Sequence, residues 1–142
     1  MMKRRSSLWI AFLLVITTSV ALAQKPKKTT GPIYAFGLSA SFVDTIVYFT
    51  EIQPLENARL TSEGFLQGRE QYSSQLKVYL ESVGAQANAT CVVYFSTDES
   101  KLAKTAHKVL SKYRQNKHIT LSPIDPESFR FRPLQTDEPA TE

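Results

Sequence analysis

Few residues in this chain have the type and spacing to do chemistry, and Asp44 is the most conspicuous. It sits inside "SFVDTIVYF", residues 41–49, a run that is otherwise apolar or β-branched. A carboxylate in such a run needs a donor, because an unpaired buried charge is very costly. Arg69 is the natural candidate. On a helical wheel of about 100° per residue it falls within the apolar stripe of Phe65, Tyr72, Leu76, Tyr79, Leu80 and Val83. An arginine placed there either snorkels outward or finds an acceptor inside. Three readings compete: a structural ion pair between Asp44 and Arg69, a turn cap made by Asp44 at a hairpin tip, or a ligand cleft lined by Asp44, Glu51, Arg69 and Tyr72.

The second constellation is cationic. Lys101, Lys104, Lys108 and Lys112 share one helix face, opposite the apolar stripe of the same segment. A solvated face accounts for this pattern; the functional alternative is binding to an anionic surface such as headgroups, cell-wall polymer or an acidic partner. The remaining candidates are weak. His107 and His118 lack ligand-spaced partners, so no metal site is expected. Cys91, the single cysteine, has no disulfide partner in the chain and lies in the apolar "TCVVYF", where a thiol serves as a small hydrophobe. There is no phosphate loop, dinucleotide glycine pattern or nucleophile elbow. Neither catalytic residues nor a cofactor are expected.

The elements that would carry these residues are legible from periodicity. "IYAFGLSA" and "TIVYFTEI" are rich in aromatic and β-branched residues and read as two strands, joined as a hairpin at residues 41–44 or continuous through a bulge. Gly37 suits a bulge or a close approach. The first helix starts from Thr61 or Ser62 as N-cap and stops at Gly84. "ATCVVYFS" is a short buried strand. A second amphipathic helix opens with a capping box from Ser96 to Glu99, buries Leu102, Ala103, Ala106, Val109, Leu110 and Tyr113, and ends at a left-handed Asn116. "HITLS" is a strand, and "FRFRP" alternates as a half-buried edge strand would. A strand-helix-strand unit makes its strands parallel. The expected fold is α+β: a two-layer sandwich, a small mixed sheet with two amphipathic helices on one face.

The N-terminus reads as a secretory signal peptide over residues 1–23. Lys3, Arg4 and Arg5 precede an apolar run over residues 8–20 and a small-residue cleavage site, Ala21-Leu22-Ala23. An uncleaved anchor is the alternative, since the run is only a little short of the ~20 residues that span a bilayer. Residues 24–32 form a flexible basic tether, residues 33–132 a single domain and residues 133–142 a disordered tail. About 119 residues follow the leader, enough for a core without staples. The whole chain carries +4, but the leader holds three of those charges. The rest is near neutral, which removes any argument for nucleic-acid binding.

"SFVDTIVYFTEIQ", "GFLQGREQYSSQLKVYL" and "TCVVYF" together resemble small exported proteins of Bacteroidetes with no assigned function. That resemblance implies a periplasmic or secreted setting and lends no activity. "VVYFSTDESKLAKTAHKVL" is more distantly similar to a strand-helix unit of the sporulation-related repeat domains that bind peptidoglycan. The chain departs from them by placing a second strand, not a helix, after "IYAFGLSA". The functional expectation is an exported, non-enzymatic interaction module or accessory subunit whose partner is another envelope or secreted protein. It would dock through its sheet face, an edge strand or the aromatic-rich first helix. Binding of cell-wall polymer or another anionic surface through the lysine face is the alternative, and a small enzyme the third.

Overall fold

The structure, a computed structural model, describes residues 31–135; the expected leader, most of the tether and residues 136–142 lie outside them. Five strands and two helices follow in the order β1 (Ile33–Ala40), β2 (Ile46–Phe49), β3 (Gln53–Leu55), α1 (Arg69–Ser82), β4 (Thr90–Ser96), α2 (Glu99–Arg114) and β5 (Thr120–Pro123). β1 is central. It pairs antiparallel with β4 on one side and with β2 and β3 on the other, and β5 adds to β2 in parallel. The sheet is therefore mixed and open, and the fold is α+β, as expected.

β2 and β3 are one row with a bulge. Thr50, Glu51 and Ile52 face only Phe36 and Gly37, between the pairs Leu38↔Phe49 and Ala35↔Gln53. Thr50 closes the gap itself: its Oγ1 accepts from Gly37 N–H at 2.8 Å, while its own N–H donates to the Gly37 carbonyl. Gly37 also lies tight beneath the helix layer. A Cβ there would come within 2.7 Å of Leu76 and 3.1 Å of Phe131, so the close-approach reading of this glycine holds, whereas the bulge lies on the row opposite it and not at Gly37.

The helices differ from expectation in placement. Alternate residues of β1 go to different cores. Ile33 and Ala35 join Val93, Leu76 and Leu80 under α1, whereas Leu38 joins Val47, Tyr94 and Leu110 under α2. The helices thus cover opposite faces, and the sandwich has three layers, not two. The physical reason is in β1: residues 33–39 are buried apart from half-exposed Tyr34, and a strand apolar on both faces needs cover on both. Each fully buried Leu or Phe in these layers contributes about 1.5–3 kcal/mol.

Boundaries moved for identifiable reasons. α1 begins at Arg69 because Gly64 (φ 87°) and Gly68 (φ 71°) are both left-handed. Thr61 instead closes a loop, its hydroxyl accepting from Phe65 N–H; Phe65 is left exposed. The Gly84 stop is as expected, with Ala85 N–H donating back to the Leu80 carbonyl at 3.0 Å. Asp98, not Ser96, caps α2, accepting from Lys101 N–H. Asn116 is not left-handed; its side chain accepts from His118 N–H. Ala103, expected inside, is exposed.

"FRFRP" alternates as expected but joins no ladder. Residues 125–134 cross the α1 face as a strap that opens with a turn at 126–128, with Phe129 and Phe131 buried and Arg130 and Arg132 exposed. The domain also runs past residue 132: Leu134 packs against the core beside Gly68.

Candidate functional site

The ion pair expected between Asp44 and Arg69 does not form. Asp44 is a turn residue: Oδ1 accepts from Ile46 N–H at 3.1 Å, and Oδ2 accepts from the Gln86 amide at 3.4 Å. Gln86 is buried and spans the site, donating also to the Ile46 carbonyl and accepting from the Ser39 hydroxyl at 2.7 Å. Arg69 is partnered elsewhere. Its Nε donates to the Val93 carbonyl at 2.8 Å, and its guanidinium lies 5.7 Å from the centre of the Phe95 ring. The cleft reading fails as well, since Tyr72 is buried against the Phe131 ring and Glu51 is exposed.

Lys101, Lys104, Lys108 and Lys112 are all exposed on α2, as one cationic face. His107 and His118 are exposed too. Cys91 is half-buried on the α1 side, and burial above all pushes its thiol up from the ordinary range, which keeps it protonated and unreactive. Burial likewise raises Tyr72. Glu63 is lowered, chiefly by a backbone hydrogen bond and then by the Thr61 and Ser62 hydroxyls. Among the described residues no group of three or more His, Cys, Asp or Glu side chains could hold a metal ion.

A concave feature that the sequence reading missed is a groove. It lies between α1 and the strap, encloses about 710 Å³ and opens to solvent. Val78, Tyr79 and Phe129 form its apolar part, with Gln71, Ser74, Arg130 and Arg132 among the polar lining residues. Two glutamines hold the strap that makes its far wall. The Gln75 amide exchanges two hydrogen bonds with the Arg132 peptide, Nε2 donating to its carbonyl at 3.0 Å and Oε1 accepting its N–H at 2.8 Å. Gln53 Oε1 accepts from Phe131 N–H at 2.9 Å. Below them Phe131 packs edge-on against both Tyr72 and Phe129. The Phe-Arg alternation did signal which side chains turn inward. Nothing local signalled that glutamine side chains would replace the neighbouring strand.

No family model matches the chain, and neither a curated protein nor a solved structure matches it. No described helix is long and apolar enough to cross a membrane.

Proposed function

We propose that this chain is an exported, non-enzymatic interaction module that holds an extended acidic segment of another envelope or secreted protein in the groove between α1 and the strap. The groove itself carries this reading. Val78, 59% exposed on a helix that otherwise buries its apolar residues well, offers a contact for an apolar anchor. Arg130 and Arg132 stand exposed along one wall against the single carboxylate of Glu127, so the lining favours an anionic occupant. Export rests on the tripartite composition of residues 1–23.

Selection of displayed random peptides on the purified chain tests it. Wild type should enrich peptides that combine acidic residues with an aliphatic or aromatic anchor. Arg130→Glu with Arg132→Glu should reverse the charge of the enriched set, and Val78→Asp should abolish enrichment while the melt is unchanged. Peptides indifferent to all three substitutions would place binding elsewhere.

A second reading is supported by the joint exposure of the four α2 lysines: attachment to an anionic polymer such as cell wall. Sedimentation with purified cell wall separates the two, because co-sedimentation through the lysine face should vanish in the fourfold Lys→Gln variant, whereas peptide binding in the groove should survive it.

A further inference from the structure

The β1–β2 hairpin ends in two apolar side chains left open among the described residues: Phe42 is 105% exposed and Val43 88%. The turn that presents them is pinned. The Ser41 hydroxyl accepts from Val43 N–H at 3.3 Å, and Asp44 is turned back, bound to Ile46 N–H and the Gln86 amide. Its carboxylate is thereby held toward the protein while Phe42 and Val43 project from it.

The topology brings cationic residues to the same end. β5 starts beside β2, with Ile46 paired to Thr120 and Thr120 N–H donating to the Thr45 carbonyl at 2.9 Å. The loop before it therefore lies next to the hairpin, carrying exposed Lys117. The C-terminal turn of α2 adds exposed Lys112 and Arg114. The β1–β4 ladder closes at Ala40↔Thr90, so the end of α1 is here too, and its Val83 is 56% exposed. The carboxylates Asp98, Glu99, Asp125 and Glu127 lie beyond the opposite ends of β4 and β5. Exposed Glu81 near the end of α1 offsets part of the charge at the tip, and Lys101 stands beside Asp98 and Glu99 at the far end, but Lys112, Arg114 and Lys117 together leave the tip end basic.

We propose that this end seats on an anionic phospholipid bilayer, with Phe42 and Val43 entering the interfacial layer and Lys112, Arg114 and Lys117 on the headgroups. An exposed aromatic beside basic side chains matches that boundary, where rings sit at headgroup depth and each nearby Lys or Arg gains from the surface potential. An acidic protein surface would satisfy the cations but would not need an unsupported aromatic tip. The proposal uses none of the groove residues, so the two can fail separately.

The test reads depth at the tip itself, because the apolar run of residues 8–20 in the full chain can bring protein to vesicles unaided. A nitroxide is attached at Val43→Cys in a Cys91→Ala background, leaving Phe42 in place; a label at Glu99→Cys reports the opposite end. On vesicles of equal parts phosphatidylcholine and phosphatidylglycerol, the label at 43 should become accessible to oxygen and shielded from an aqueous nickel complex. The label at 99 should stay aqueous. Phe42→Ser should return the tip label to water, and each of Lys112→Gln, Arg114→Gln and Lys117→Gln should weaken its partitioning about five-fold. A tip label as aqueous as that at 99 on vesicle-bound protein overturns the proposal. Equal immersion in pure phosphatidylcholine vesicles overturns the role of the cations.

Discussion

Arg69 Nε donates to the carbonyl of Val93 at 2.8 Å, and this bond closes part of a sheet edge. Gly37, opposite Val93, turns its own N–H and C=O toward Thr50. Val93 is therefore a non-hydrogen-bonded partner of β1, and its polar groups face away from the sheet. Among the described residues β4 pairs with β1 alone. A seven-residue edge strand as apolar as "TCVVYFS" invites pairing with another chain, and a charged side chain laid along it is a common protection. Arg69→Ala should expose the Val93 carbonyl and the Phe95 ring together. The expected result is concentration-dependent self-association beyond wild type in sedimentation velocity, with a stability loss of only about 1 kcal/mol because the side chain is exposed. Unchanged sedimentation would show that the edge is protected by something other than Arg69.

Separate partners for Asp44 and Arg69 imply additive energetics. Asp44→Ala should cost about 1 kcal/mol, the usual magnitude for losing a side-chain cap on a backbone N–H. Denaturant melts of both single variants and the double should give a coupling energy below about 0.5 kcal/mol. A coupling of several kcal/mol would require the buried pair that the hydrogen bonds exclude.

The sequence showed the elements better than their placement. The hairpin, the close approach at Gly37, the Gly84 stop and most of the amphipathic stripes were visible, because each leaves a mark within a few residues of sequence. Phe65, Val83 and Ala103, assigned to those stripes, are exposed. The helix faces were not deduced, although β1 held the clue: Phe36 and Leu38 are as apolar as Ile33 and Ala35. Placing Arg69 inside a helical stripe failed because Gly64 and Gly68 delay the helix, so Arg69 lies at its first residue, level with the β4 edge. The groove depends on Gln53 and Gln75 gripping a segment 78 and 57 residues away, respectively. No local pattern encodes such a contact.

Alkaline pH should destabilise the fold in two steps. Burial raises both the Cys91 thiol and the Tyr72 phenol, so the folded state holds these protons more tightly than the unfolded chain does. Their contribution is complete below the ordinary values, 9.0 for the thiol and 10.0 for the phenol, and is lost as pH rises through the higher folded values. Urea midpoints measured from neutral to strongly alkaline pH should fall accordingly. Cys91→Ala should remove the earlier decline and Tyr72→Phe the later one. A decline identical in both variants and wild type would assign it to other groups.

The strap should open at different cost depending on which glutamine is lost. Gln53→Ala strands the Phe131 N–H in a buried site, and an unsatisfied buried donor costs about 1–3 kcal/mol. Gln75→Ala removes two bonds, but both lie at the surface, where water replaces them, so the loss should stay under about 1 kcal/mol. Limited trypsin digestion reads the difference directly, because the Arg130–Phe131 bond sits on the strap and is cut only when it lifts, the Arg132–Pro133 bond being resistant to trypsin. Both variants should be cleaved there faster than wild type, Gln53→Ala the more so, while sites in α2 such as Lys104 and Lys108 remain resistant. If cleavage at the strap and in α2 rises in parallel, the strap is not a separate unit. Phe129 and Phe131 would then tie its opening to that of the whole core, and the groove would exist only while the entire domain is folded.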